Sequence, residues 1–598
     1  MKLLVALALA GCAMPAFAAS TGAVQSAPDA FTPAHKKAPL VLNDADRASY
    51  RAIFAAIHAG RWAEAQSLLA AMPEGVLHQT ALGELYTAKG SPRVALDPLL
   101  AWLAKSPELP EAQQIAALAT RRGAGDLPFI PTEQRLQWLG SQPLRGRAAT
   151  IKVDPVGVAL SARILPLIKA DAPADAEKLI EEAAASLSPE ALTEWQQRVA
   201  WSYYITGNDA DARRLADKAR AGIGEWAVHA DWIAGLAAWR QQDYVAALGA
   251  FEAVSRRGED EEMQAAGNYW AARADMAGGH PERIENRLRA AARNPETFYG
   301  QLAQQTLGIT AAPALQPDIL AADWEKLSTH PGVRAAVALS EIGERNLAAD
   351  AIRHQARIGD AREHEMLVRL VGRMNMPDLQ IWLAHNGPAG TRLQASARYP
   401  APDWTPVGGW RVDKSLVFAH ALQESRFRPD VVSPAGAYGV MQVLPTTAQL
   451  IARRRGETVD RAQLANPQTN IAFGQAYLEQ LRDYGATGGL LPKVIAAYNC
   501  GPQPVGEWNA RGFDKGDPLL YIESIPYWET RGYVTIVMRN YWMYQQNAGD
   551  DSPSRKALAE GLWPRFPGLP GATAVRMERP TGPAVAAAAT AMRTASAQ

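Results

Sequence analysis

The stretch Ala421-Leu422-Gln423-Glu424-Ser425-Arg426-Phe427, followed by Ser433-Pro434-Ala435-Gly436-Ala437-Tyr438-Gly439 and Val440-Met441-Gln442, decides how this chain is read. Leu416, Val417, Ala419, Ala421 and Leu422 give the segment before Glu424 an apolar helical face. Arg428-Pro429 is expected to end that helix, because proline disfavours the helical region for the residue before it. A carboxyl at the end of an apolar helix, facing a glycine-rich turn, is a candidate for a raised pKa and acid chemistry. The alternative is a solvated helix-end charge, so the rest of the chain must decide.

Composition narrows the classes. The chain has 598 residues, enough for several domains, and 48% are hydrophobic. Lys+Arg and Asp+Glu are both 61, so no excess charge calls for nucleic acid as a partner. There is no HExxH, P-loop, Rossmann glycine fingerprint or CxxC pair, and the ten histidines show no ligand spacing. No metal or cofactor is therefore expected.

The N-terminus reads as an export signal over 1–18. Lys2 precedes the apolar run Leu3 to Ala10, and Ala16-Phe17-Ala18 fits a cleavage site. Leu9-Ala10-Gly11-Cys12 offers a rival, an acylated Cys12. Soluble export is the preferred expectation, with no integral membrane segment in the mature chain, since no stretch is long and apolar enough to span a bilayer. The two cysteines are Cys12 and Cys500, so removal of the signal leaves one and no internal disulfide.

A flexible lead-in is expected over 19–42. Over 43–295 the pattern is helical, broken at Ala59-Gly60, Lys89-Gly90, Thr206-Gly207 and Gly278-Gly279. Gly83, Tyr86, Ala95 and Leu99 sit at the spacing of a tetratricopeptide-type helix pair. Gly235, Ala238, Ala247 and Phe251 repeat it, as do Ala200, Tyr203, Ala212 and Ala216, and more weakly Ala56, Ala65 and Leu69. Such pairs bury their apolar faces only by stacking, so an α-solenoid is expected. Further helices over 296–400 read as a helical linker domain. The Pro/Gly-rich run from Tyr399 to Gly409 marks a boundary, and 401–548 reads as a compact α-rich domain. The segment 549–598 is Pro/Gly/Ala-rich and is expected to be a largely disordered tail.

Four ordered clusters lie in 401–548: Gln423-Glu424-Ser425-Arg426-Phe427; Ser433-Pro434 through Gly439-Val440-Met441-Gln442; Ala496-Ala497-Tyr498-Asn499-Cys500-Gly501-Pro502; and Glu523-Ser524-Ile525-Pro526-Tyr527 with Glu529-Thr530-Arg531-Gly532-Tyr533-Val534. Together they resemble the catalytic domain of the soluble lytic transglycosylases, a lysozyme-like family that cuts bacterial peptidoglycan. The resemblance spans roughly Trp410 to Tyr544 and extends more weakly to the solenoid and linker ahead of it.

The resemblance implies Glu424 as catalytic acid/base. It implies that Ser433 touches the sugar beside the cut, and that Gln442, next to Met441, binds substrate or fixes the cleft. Tyr498 lies near the acid beside Asn499, and Glu529 is a second carboxylate supporting the active-site hydrogen bonds. Simpler readings are a helix cap for Tyr498-Asn499 and an ion pair to Arg531 for Glu529. Val440 replaces the family's usual leucine, and Cys500 stands where alanine is usual, so packing and not chemistry is expected of it. The glycines Gly436 and Gly439 are expected to let the backbone approach a sugar.

The implied substrate is the peptidoglycan glycan strand, in the periplasm, with other cell-wall enzymes as candidate partners of the solenoid. One carboxyl suffices if the substrate's own C6 hydroxyl attacks the anomeric carbon, giving 1,6-anhydro-muramic acid ends. An ordinary lysozyme-type hydrolase and a non-enzymatic wall-binding scaffold are the alternatives.

Overall fold

The computed structural model describes residues 38–310, 319–512 and 514–577. The expected signal over 1–18, most of the lead-in and residues 578–598 lie outside them. The described residues are mainly helical, as expected. Strands are confined to two short antiparallel pairs, Gln137–Trp138 with Asn386–Gly387 and Trp563–Pro564 with Ala574–Val575. Among the described residues no helix is long and apolar enough to cross a membrane.

The chain forms two compact units. One takes Gln142–Pro313 with Thr405–Gln598, the other Pro28–Ser141 with Ala314–Trp404, each within the described residues. The boundary at Trp404 falls inside the Pro/Gly-rich run. The expected consecutive segments do not coincide with these units, because residues 43–295 are shared between them. Helices cut adrift in sequence share a core. In the second unit Tyr50, Phe54, Leu103 and Ile115 are fully buried in one cluster with Leu339, Ile352 and Leu370. Glu341 ties its two sequence pieces, accepting from the Val41 N–H at 2.6 Å and from Arg47 Nε at 2.8 Å.

In the first unit the helices from Pro189–Ile205 to Ile284–Ala292 each pack on the one before and the one after. The small-residue spacing explains how. A Cβ on Gly235 would stand 2.5 Å from the Phe251 ring, so glycine is what lets Glu225–Arg240 close on Tyr244–Arg257. Ala200, Tyr203, Ala212 and Ala216 are likewise buried. The pattern fails at Ala95, which is exposed and stands at the N-cap of Leu96–Lys105. That position starts a helix and faces no partner.

The tail expectation is corrected over 549–577. Pro553–Ala559 is a helix packed on Phe298–Thr306, and Leu558, Trp563 and Phe566 are buried. Trp542 Nε1 donates to Ser554 at 2.9 Å, and Trp563 Nε1 donates to the Gly516 carbonyl at 2.8 Å. Two aromatic side chains bury enough apolar area to order a stretch whose average composition reads as linker.

Candidate active site

Glu424 closes the helix Lys414–Ser425. Asp413 caps its start, accepting from the Ser415 N–H at 2.8 Å and from the Tyr541 hydroxyl at 2.8 Å. The helix ends earlier than Pro429 requires. Arg426 and Phe427 adopt left-handed conformations, φ 53° and 60°, and the Arg426 N–H closes on the Leu422 carbonyl. Ser425 then donates to the Val440 carbonyl at 2.7 Å, joining the helix end to the turn that follows.

Glu424 is partly buried. Its carboxyl is pushed up to about 7, chiefly by burial; a hydrogen bond from Tyr533 opposes the rise and the charge of Glu529 adds to it. The Tyr533 hydroxyl donates to Oε1 at 2.6 Å. The Tyr533 oxygen lies 2.8 Å from Nδ1 of His420. Burial drives His420 down to about 3, so its ring is neutral at neutral pH. With the Tyr533 proton given to Glu424, the Tyr533 oxygen accepts from the Nδ1–H tautomer of His420. Nε2 of His420 is buried without a hydrogen-bond partner.

The turn across the cleft is held by residues that were expected to face substrate. Ser433 Oγ accepts from the Ala437 N–H at 3.0 Å, closing its own turn. Gln442, with φ 47°, turns its amide back and donates to the carbonyls of Val431 and Gly439 at 3.0 and 2.9 Å. Met441 is fully buried, and a Cβ on Gly474 would meet its sulfur. Gly439 is not open toward a ligand: a Cβ there would stand 2.4 Å from Asn470 Nδ2. That corrects the expected sugar approach at this glycine, whereas Gly436 has open space around it.

Tyr498, on Leu491–Cys500, donates to the Met441 carbonyl at 2.8 Å and packs its ring against His420 at 4.6 Å. Its hydroxyl is held well above the usual tyrosine range by burial and then by the charge of Glu424. Asn499 Oδ1 accepts from Thr530 at 2.7 Å. Glu529, on Trp528–Ala548, is exposed, forms no ion pair with Arg531, and reaches Glu424 through charge alone. Cys500 is packed: burial lifts its thiol to about 12, so thiolate chemistry is out of reach.

Three residues have parts in the site that the sequence reading did not assign, although Tyr533 stood in one of the quoted clusters. Tyr533 and His420 were detectable, because Tyr533 is four residues after Glu529 and His420 four before Glu424, each on one helix face. Asn470 had a weaker signal, an amide among the apolar residues of Pro467–Arg482, where Gln475 is a second buried amide. It is fully buried, accepts from the Met441 N–H at 2.8 Å, and donates to the carbonyls of Tyr438 and Leu464 at 2.9 Å each. Two of its three side-chain contacts pin the Tyr438-to-Met441 turn, and the third ties that turn to the end of Arg461–Leu464.

One buried ion pair ties this region to the preceding helices of the same unit. Arg145 grips Glu523 with both terminal nitrogens, at 2.7 and 3.0 Å, and Tyr299 donates to Glu523 at 2.7 Å. Burial alone would raise the Glu523 carboxyl, but Arg145, helped by the Arg531 charge and the Tyr299 hydrogen bond, outweighs it and holds the group below its ordinary value.

Residues 408–520 match the family model of the transglycosylase SLT domain. The soluble lytic murein transglycosylase of Escherichia coli K12 is 36% identical over 146 residues, 24% of this chain and 22% of that protein. Membrane-bound lytic murein transglycosylase C of Actinobacillus pleuropneumoniae serotype 5b is 41% identical over 122 residues, 19% of this chain and 33% of that protein. The matched part thus spans about a fifth to a third of these relatives. The crystal structure of the 70 kDa soluble lytic transglycosylase from Escherichia coli superposes with a TM-score of 0.53 at 18% identity, covering 88% of this chain and 99% of that one. The complex of the 70 kDa enzyme with bulgecin A gives a TM-score of 0.57, also at 18% identity. These likenesses show the fold: a mainly α chain with a helical superhelix and a lysozyme-like domain.

Proposed function

We propose that this chain, whose residues 408–520 carry a transglycosylase SLT domain, is a peptidoglycan lytic transglycosylase. It cleaves the β-1,4 bond between N-acetylmuramic acid and N-acetylglucosamine and leaves 1,6-anhydro-muramic acid ends. One observation carries the reading: Glu424 is poised near neutrality, and no second carboxylate lies within hydrogen-bond reach of it among the described residues.

Two opposed effects set that balance. Burial keeps the acid protonated, and the Tyr533 hydrogen bond stabilises the carboxylate that remains once the proton has left. Because Oε1 accepts from Tyr533, the transferable proton belongs on Oε2. That proton passes to the glycosidic oxygen as the bond to the muramic C1 breaks. The C6 hydroxyl then bonds to C1 and returns its proton to Glu424, leaving the enzyme as it began. Attack by a group already on the substrate has high effective molarity, so no residue is needed to activate water. Glu529 is too exposed to serve as the paired nucleophile of a two-carboxylate glycosidase.

We assign the remaining site residues to holding this geometry. Tyr498, Gln442, Met441 and Asn499 fix the turn and helix ends, and Ser433 presents a hydroxyl proton not used in its own turn. Export to the periplasm through the N-terminal signal fits this substrate. The test is digestion of purified sacculi and mass analysis of the muropeptides. Anhydro ends support the proposal, and reducing ends as the main product would replace it with hydrolysis.

A further inference from the structure

A cavity of about 230 Å³ lies apart from Glu424, between the helices Pro189–Ile205 and Glu225–Arg240 and the start of Trp528–Ala548. Trp201, Trp226 and Trp528 form walls, and every strongly charged side chain lining it is an arginine. Neither Asp nor Glu lines it. Two of its arginines have counter-ions: Arg145 is bound to Glu523, and Arg198 is bound to Glu194 at 2.8 Å.

The other two form no ion pair among the described residues. Arg531 is 7% exposed, stacked 4.2 Å from the Trp201 ring centre and 5.1 Å from that of Trp528. Its Nη1 reaches only the backbone carbonyls of Glu523 and Ile525, at 3.5 and 3.2 Å. Among the described residues its Nε and Nη2 make no hydrogen bond and no carboxylate lies within ion-pair distance; the Glu523 charge offsets part of its burial cost, but Glu523 itself is bonded to Arg145 and Tyr299. Burial drives Arg531 down to about 10, which still leaves it charged at neutral pH. Arg147, at the exposed rim, forms no ion pair or hydrogen bond among the described residues. His229, which also lines the cavity, is held down to about 4 by burial and then by the charges of Arg145 and Arg531, so it is neutral at neutral pH and adds no further positive charge.

Arg145 and Arg531 thus share one buried carboxylate, and the positive charge left over is costly unless another anion completes it. Guanidinium forks bind planar carboxylates bidentately, and apolar walls with few convergent polar groups are how small-molecule sites are built. We propose that this cavity binds a carboxylate carried by a small sugar- or peptide-sized molecule, gripped by Arg531 and Arg147 between the tryptophan rings. The inference needs only the carboxylate and does not depend on the Glu424 chemistry.

Calorimetric titration of the full chain tests it with three probes. N-acetylmuramic acid carries ring and carboxylate, N-acetylglucosamine the ring alone, and N-acetyl-D-alanyl-D-alanine a carboxylate without the ring. We expect at least one acid to bind and N-acetylglucosamine to bind roughly tenfold more weakly or not at all. Which acid binds identifies the source. Arg147→Gln and Arg531→Lys should each weaken the acid by roughly tenfold, the loss of one charge-assisted contact. Arg147 is exposed, so that variant decides if Arg531→Lys misfolds. Glu424→Gln should bind the acid as the unmodified chain does. Failure of both acids to bind overturns the proposal, as does equal binding of N-acetylglucosamine. An affinity that follows Glu424 and ignores Arg147 does so too, because the probe then sits in the catalytic cleft.

Discussion

Tyr533 and Glu424 meet at 2.6 Å, and this contact divides the labour between the two carboxylate oxygens. Oε1 is occupied, so Oε2 is the oxygen left free to exchange a proton. Glu424→Gln keeps the shape and removes the titrating proton. Turnover on sacculi should fall by a factor on the order of 10² to 10⁴, with an unchanged circular dichroism spectrum. Near-normal cutting would remove Glu424 from its role.

Tyr533→Phe and Glu529→Gln should move the pH profile in opposite directions. The Tyr533 bond favours the charged carboxylate, so its loss raises the Glu424 pKa above about 7 and shifts the alkaline limb of the rate profile upward. The Glu529 charge disfavours the carboxylate, so its removal shifts that limb downward. The second shift should shrink in high salt, because Glu529 is exposed. Parallel shifts would refute the assignment.

His420→Phe leaves the Tyr533 hydroxyl without the donor that orients it. We expect a lower kcat, on the order of tenfold, and a displaced pH profile with KM little changed. His420→Gln, which can again donate toward Tyr533, should recover part of the rate. A stability loss with an unmoved pH profile would make His420 a packing residue only.

The raised pKa of Glu424 also has a stability consequence. The native state holds this proton where the unfolded chain has lost it, so the site favours folding below the unfolded value and loses that advantage as pH rises through about 7. Glu424→Gln should therefore be the more stable protein at pH 8, by at most about 3 kcal/mol, with the gap closing by pH 4. Thermal melts of the two proteins at both pH values measure it.

Arg145→Ala strands a fully buried carboxylate at Glu523. The expected destabilisation is about 3–5 kcal/mol, larger than for Glu523→Gln with Arg145 kept near solvent. Glu523 sits below its ordinary value, so the pair's contribution is present above the unfolded carboxylate pKa and fades as the solution is acidified through the folded one. Urea melts of both variants at pH 7 and pH 4 check magnitude and sign.

Much of this was legible in the chain. Glu424 stood out because an acid ended an apolar helix before a glycine-rich turn, and the spacing of Gly235 to Phe251 announced a helix pair. Legibility failed where the decisive partner is distant in sequence. Nothing local tells that Leu103 and Leu370 share a core, or that Gln442 faces its own backbone. Trp563 and Phe566 were masked by the prolines and glycines around them, because composition averages over the few side chains that do the burying. Gly439 read as room for a ligand when the room is filled by Asn470.

The Arg145–Glu523 pair sets an order of events during synthesis. Its members are 378 residues apart, so at about 5–20 residues per second the guanidinium emerges roughly 20 to 75 s before its carboxylate. The intervening Ala314–Trp404 belongs to the other unit. The first half of the unit that holds Glu424 must therefore wait, open and hydrated, while part of another unit is made. A ribosome-bound or truncated chain stopped before residue 523 exposes the seam where the last helices dock, and that seam is where chaperones and proteases would act first.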